Sequence, residues 1–391
     1  MNSQRLKMPH LFDPLALRGV KVVNRIAVSP MCQYSCVDGF ASDWHFVHLG
    51  SRAVGGVGLV LTEASAVVPE GRISPQDLGI WSDDHIEPFV RITRFIHEQG
   101  SVAGIQLAHA GRKGSTYRPA ESRQGAVPAT EGGWQPVAPS ALAFDSGYAV
   151  PQALTEDGIR AVIRAFADAA ERARQAGFRI VEIHAAHGYL LHQFLSPFSN
   201  KRTDPYGGSF ENRTRLVREV VAAIRSKWPE RFPLLLRISA TDWAAGGWDI
   251  EQSVELVRQI GPLGVDLIDC SSGGSVPTAR MPLGPGYQTP FAERLRRETG
   301  VPTGAVGMIT SPAQADHIIR TGQADIVLLA RGFLRDPYWP LRAARELGQK
   351  FAWPVQYLRA APEGSPVRTS TPCESPEAMK NDNLGRNKQQ W

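Results

Sequence analysis

The feature that most constrains this chain is an eightfold alternation of short β-branched runs with amphipathic helical segments, spread across most of its 391 residues. Strands are predicted at residues 25–29, 58–62, 102–107, 180–183, 234–238, 267–270, 303–306 and 325–329. Helical spacing is clearest over 155–177, where Ile159, Val162, Ile163, Phe166 and Ala170 recur at three- and four-residue steps between a Thr155 cap and Gly177. Further helices are predicted at 44–54, 85–99, 212–228, 251–260, 291–299, 312–321 and 338–347. Alternation of this kind predicts an α/β fold, a parallel (β/α)8 TIM barrel. A doubly wound open sheet is the alternative, and it is disfavoured because no strand is followed by a G-x-G-x-x-G turn. Residues 11–23 read as an N-terminal β-hairpin turning at Arg18-Gly19, suited to plugging the barrel bottom. The stretch 110–151 after the third strand is too long for a plain connection and reads as a lid or binding loop holding Tyr117 and Trp134. Periodicity stops near residue 360, so a single domain over 1–360 and a disordered tail over 361–391 are expected.

Composition excludes several classes. A net charge of +5 arises from scattered Arg rather than a basic run, which disfavours nucleic acid as a partner. No window approaches the ~18 uninterrupted apolar residues of a membrane span, and the polar start lacks a signal-peptide core. Cys32, Cys36, Cys270 and Cys373 lie too far apart for a Cys-x-x-Cys redox or zinc pattern, so a cytoplasmic protein without a disulfide framework is expected.

In a (β/α)8 barrel the chemistry sits at the C-terminal ends of the strands. There the sequence places Pro30-Met-Cys-Gln-Tyr34, Glu63-Ala64, Gln106 with His109, His184 to Tyr189, Arg237, Ser271 to Gly274, Gly307-Met308 and Ala330-Arg331-Gly332. The stretch Arg179-Ile-Val-Glu-Ile-His-Ala-Ala-His-Gly-Tyr189 is the most pointed, because an apolar run ends in two imidazoles and a phenol. His184 and His187 suit donation to one ligand oxygen and Tyr189 suits proton delivery. A metal site and a pair of satisfied core histidines are the competing readings of His-x-x-His. Loops after the seventh and eighth strands form the usual phosphate cradle of this fold, which makes Gly307, Ala330 and Arg331 candidate phosphate holders. Arg237, ending an apolar strand, needs an anionic partner, either Asp242 or a bound ligand.

With these motifs assembled, the chain resembles the old yellow enzyme family of FMN-dependent ene-reductases, in its bacterial branch with a flavin-proximal cysteine. The resemblance rests on Pro30-Met-Cys-Gln-Tyr34, Gln106-Leu-Ala-His-Ala-Gly-Arg112, His184-Ala-Ala-His-Gly-Tyr189, Ser199-Asn-Lys-Arg-Thr-Asp-Pro-Tyr-Gly-Gly208 and Gly304-Ala-Val-Gly-Met308. It implies bound FMN and NADPH as reductant. It implies that Ser29, Pro30, Met31, Cys32, Ala64, Gln106 and Arg237 hold the isoalloxazine, and that Gly307, Ala330 and Arg331 hold the phosphate. Substrate, an α,β-unsaturated carbonyl compound, would be gripped by His184, His187 and Tyr34, with Tyr189 as proton donor and Cys32 adjusting the flavin. The ending Pro354-Val-Gln-Tyr-Leu-Arg359 matches that branch's arginine reaching into a neighbouring subunit, which implies a homodimer or homotetramer. Rivals are an iron–sulfur dienoyl reductase, a metal-dependent barrel hydrolase using His184 and His187, and a non-catalytic flavin binder.

Overall fold

A computed structural model describes residues 8–119 and 121–368. Eight parallel strands close into a barrel: Ile26–Val28, Leu59–Ala66, Val102–Ala108, Ile180–Ala185, Leu234–Ser239, Leu267–Ser271, Thr303–Val306 and Ile326–Leu329. All eight predicted strands are present. Closure is made by the eighth strand pairing with the first, Val327 opposite Ile26 and Leu329 opposite Val28. Every residue of these strands is buried, which explains their near-continuous apolar character.

The helices follow the predicted positions within a few residues. The longest, Glu156–Gln175, buries Ile159, Val162, Phe166, Ala169, Ala170 and Ala173 on one face. Thr155 caps it by accepting from the Gly158 N–H at 3.1 Å, worth ~1 kcal/mol over alanine. Ser209, Asp249 and Ser311 cap three later helices in the same way. Two short helices, Leu190–Leu195 and Arg331–Arg335, were not predicted; they are too brief for a period of 3.6 to register.

The strands Leu15–Leu17 and Val20–Val22 form the expected antiparallel hairpin. The N–H of Gly19 at its turn donates to the Arg231 carbonyl at 2.9 Å, and Arg18 reaches Asp266 at 2.6 Å. Those partners precede the fifth and sixth strands, so the hairpin covers the end opposite the strand C-termini. At the other end the 110–151 insertion is fastened down: Arg112 donates to the Ser275 carbonyl at 3.0 Å and Trp134 Nε1 to the Glu70 carbonyl at 2.9 Å. Two short parallel strands, Val137–Ala138 and Gln152–Ala153, close its base.

Of the segment expected to be a tail, residues 369–391 lie outside the described residues, Cys373 among them. Residues 361–368 are placed: Val367 bridges Trp353, and the Arg368 guanidinium donates to the carbonyls of Ala53, Val54 and Ala352. The first two of those carbonyls lie in the last turn of the helix Asp43–Val54, where no further helical turn follows to donate to them. No helix among the described residues is long and apolar enough to cross a membrane.

Candidate active site

At the mouth, the fourth strand delivers His184 and the turn after it delivers His187 and Tyr189. That turn is sharp, with His187 at φ 58° and Gly188 at φ 73°. A Cβ on Gly188 would lie 2.1 Å from the Gly274 carbonyl oxygen, so only glycine lets the turn pack on the loop after the sixth strand. Lys113 locks the two loops together, donating to the carbonyls of His187 at 2.9 Å and Gly274 at 3.1 Å. Burial pulls the Lys113 ammonium down to about 8. Its Nζ also lies 5.2 Å from the Tyr189 ring centroid and 4.4 Å from that of Phe144, a lid residue.

The two imidazoles meet edge to face, with centroids 5.1 Å apart and planes at 82°. Burial, reinforced by Arg237, holds both well below the usual histidine range, so both are neutral. The Ala186 N–H donates to His184 Nδ1 at 3.3 Å, which assigns the His184 proton to Nε2. That Nε2 stands 3.4 Å from His187 Nδ1, while His187 Nε2 stands 2.7 Å from Ser271 Oγ. If the Ser271 hydroxyl donates, the His187 proton moves to Nδ1 and two N–H groups face each other with no acceptor between them. The Tyr189 ring packs 5.0 Å from His184 at 75°. Burial pushes its phenol well above its ordinary value, so it keeps its proton at neutral pH. Among the described residues, no group of three or more His, Cys, Asp or Glu is placed to hold a metal ion.

Arg237 points into the barrel beneath this mouth. Its Nη1 donates to Ser29 Oγ at 3.2 Å and its Nε lies 3.1 Å from Asp269 Oδ2. The expected protein partner, Asp242, is engaged elsewhere, accepting from Ser196 Oγ at 2.6 Å and the Trp248 N–H at 2.8 Å, with His192 at 3.0 Å. The reason is register: Asp269 is paired directly opposite Arg237 on the sixth strand. Gln106 spends its amide N–H on Glu182 at 2.8 Å. Glu182 and Asp269 escaped the sequence reading, although an acid inside Ile-Val-Glu-Ile or Leu-Ile-Asp-Cys is itself a signal.

A bulge in the second strand between Leu61 and Ala64 sets Ala64 opposite Gln106 and releases Glu63 toward the first-strand loop. Glu63 accepts from the Gln33 N–H at 2.8 Å and contacts His45 Nε2 at 3.1 Å, anchoring the loop that carries Met31, Cys32 and Tyr34. Pro30, Met31, Cys32 and Tyr34 are half-buried. Burial, helped by Asp77 and Glu63, raises the Cys32 thiol well above its ordinary value, so it is not a thiolate. Beyond the seventh and eighth strands, Tyr287, Gly307, Met308, Ala330, Arg331 and Arg335 line a cavity of ≈ 460 Å³. Arg359 is exposed in the turn Val355–Ala360 and lines an outer groove with Tyr338, Arg342 and Trp353.

Residues 10–350 match the NADH:flavin oxidoreductase / NADH oxidase family. The chain belongs to that family. The NADPH dehydrogenase of Geobacillus thermodenitrificans (strain NG80-2) is 49% identical over 351 residues, covering 89% of this chain and 98% of that protein. The NADPH dehydrogenase of Bacillus subtilis (strain 168) is 46% identical, with the same coverage. Among solved structures, morphinone reductase superposes with a TM-score of 0.74 at 27% identity, covering 88% of this chain and 91% of that one. The old yellow enzyme homologue from Zymomonas mobilis superposes at 0.72 and 27% identity, covering 86% and 93%. This is therefore an FMN-dependent oxidoreductase of the old yellow enzyme kind. The residues present fit FMN. The cavity at the last two loops is bordered by Arg331 and Arg335, and at its edge Gly307 has φ 118°, where a Cβ would come within 2.8 Å of Gln288 Nε2.

Proposed function

We propose that this flavin oxidoreductase is an NADPH dehydrogenase that reduces the activated C=C bond of α,β-unsaturated carbonyl compounds. NADPH is the donor for which the bacterial relatives are named. FMN supplies a two-electron carrier that accepts from the nicotinamide and gives to the alkene at one open face. On this reading Ser29, Pro30, Met31, Cys32, Ala64, Gln106 and Arg237 hold the ring system, and Gly307, Ala330 and Arg331 hold the phosphate.

The observation that carries the proposal is the pair of neutral imidazoles 3.4 Å apart, each able to aim an N–H at the gap. When the Ser271 hydroxyl donates to His187 at 2.7 Å instead of to Gln288 Oε1 at 3.4 Å, the two imidazole donors converge on a position that only an acceptor satisfies. A carbonyl oxygen fits there, and two hydrogen bonds drain electron density from its conjugated alkene. His184 and His187 thus orient the substrate, Tyr34 contacts it, and Tyr189 delivers a proton to its α-carbon. Cys32, held as a neutral thiol, packs at the ring and adjusts it without disulfide chemistry. Arg359 reaches a neighbouring subunit's site in a homodimer or homotetramer.

The test is an anaerobic cycle. Purified protein should be yellow, bleach with NADPH and recover its colour with 2-cyclohexenone; bleached protein that stays pale with every enone tried removes the ene-reductase reading. His184→Ala should weaken phenol binding, followed by flavin absorbance, by the ~1–3 kcal/mol of one donor to a buried oxygen. Unchanged affinity would take His184 out of the anchoring pair.

A further inference from the structure

The barrel interior contains more negative charge than its one guanidinium answers. Glu182 and Asp269 are both completely buried, and Arg237 is 6% exposed. Arg237 lies 3.1 Å from Asp269 Oδ2, but the approach is too oblique to count as a hydrogen bond. Glu182 has one hydrogen bond, from Gln106, to Oε1. Its Oε2 and both Asp269 oxygens have no hydrogen-bond partner. Two carboxylates and one guanidinium in so dry a space leave one uncompensated anion, which costs several kcal/mol unless a proton neutralises it.

We propose that Glu182 and Asp269 hold one proton between them, and that this proton is released or recaptured according to the redox state of the FMN bound above Arg237. Gln106 and Arg237 connect the carboxylate pair to the floor of the flavin seat, one through each acid. The pair therefore acts as a positioning and potential-setting device, touching neither substrate nor reacting atoms.

The surroundings favour this. The groups facing the pair are Arg237 on the fifth strand and His184 two residues beyond Glu182, with Gln106 and Ser29 facing in from the third and first strands as neutral groups; the Cys270 thiol, next to Asp269 along its strand, is on the opposite face. Cys270 is pushed up by burial and His184 is held neutral, so neither offers compensating charge. Burial, and then the nearby Asp269, raises Glu182 to about 8 against the opposing pull of Arg237 and Gln106, and burial raises Asp269 too.

The linkage has a definite sign. FMN that gains two electrons and one proton gains one negative charge above the same guanidinium. That charge makes the ionised pair less favourable, so its affinity for a proton is higher under reduced than under oxidised flavin. Between those two values, reduction draws one extra proton from solvent onto the carboxylates. The potential then falls with pH at two protons per two electrons instead of one.

Redox titration of the holoenzyme between about pH 6 and pH 10 tests this. In the wild type the slope should steepen to two protons per two electrons in a window opening near pH 8, whereas Glu182→Gln should keep the one-proton slope throughout. Asp269→Asn serves the same purpose if Glu182→Gln fails to fold or to bind FMN. Infrared difference spectra between the wild type and Glu182→Gln, or Asp269→Asn, remove the contribution of Asp77, a buried acid raised to the same range, and should retain a protonated-carboxyl band that shifts in heavy water and fades above about pH 8, with and without FMN. A single-proton slope in the wild type, or no such band at neutral pH, overturns the proposal. A band without the steeper slope keeps the shared proton but rejects its coupling to the flavin, and an absence of FMN binding defeats the seat rather than the pair.

Discussion

Tyr189→Phe is expected to slow reoxidation of the reduced enzyme by 2-cyclohexenone roughly 10²–10⁴-fold, while bleaching by NADPH continues at the wild-type rate. The asymmetry follows from what the phenol does. Its proton is needed only when the α-carbon becomes basic, which happens after electrons leave the flavin and not while they arrive. Phenylalanine keeps the ring that packs 5.0 Å from His184 and under the Lys113 ammonium, so the loop geometry survives. Because burial raises the Tyr189 phenol well above 10, the wild-type oxidative half-reaction should also show no loss from its ionisation as pH rises to 9. Stopped-flow measurement of each half-reaction separates these effects. Equal slowing of both halves, or none, sinks the proton-donor assignment.

Arg237→Met is expected to destabilise the protein by about 3–5 kcal/mol at pH 8, because it strands two buried carboxyl groups without a cation. Methionine matches most of the volume, so the loss reports charge rather than a cavity. Protonation is the remaining escape for the acids. The penalty should therefore shrink toward pH 5, where Glu182 is neutral, and grow as pH rises through about 8, several pH units above the window in which a salt bridge on a depressed carboxylate is lost. Adding Asp269→Asn to Arg237→Met should recover most of the loss, since it removes the stranded charge. Urea unfolding at both pH values, with and without FMN, measures this cycle. A double variant no more stable than the single one would dismiss the charge account and leave packing as the cause.

Much of this molecule is legible in the amino-acid sequence. Eight strands were readable because each is a β-branched run buried on both faces, and the helix at Glu156–Gln175 because one face repeats apolar residues between Thr155 and Gly177. The location of His184, His187 and Tyr189 at one strand end followed from chain order alone. The partner of Arg237 did not, because Asp242 is near in sequence whereas Asp269 is opposite in the sheet. Lys113 and Ser271 were equally unreadable as supports of the His187 turn, lying 74 and 84 residues from it along the chain.

The amino-acid sequence by itself determined the alternation, and with it the closed barrel and the end at which chemistry gathers, because periodicity and capping are local properties of the chain. Only the tertiary structure decided which side chains face one another across that barrel. Strand register and the bulge after Leu61 set those pairings, and a shift of one residue would have turned Gln106, Glu182, Arg237 and Asp269 away from the interior they share.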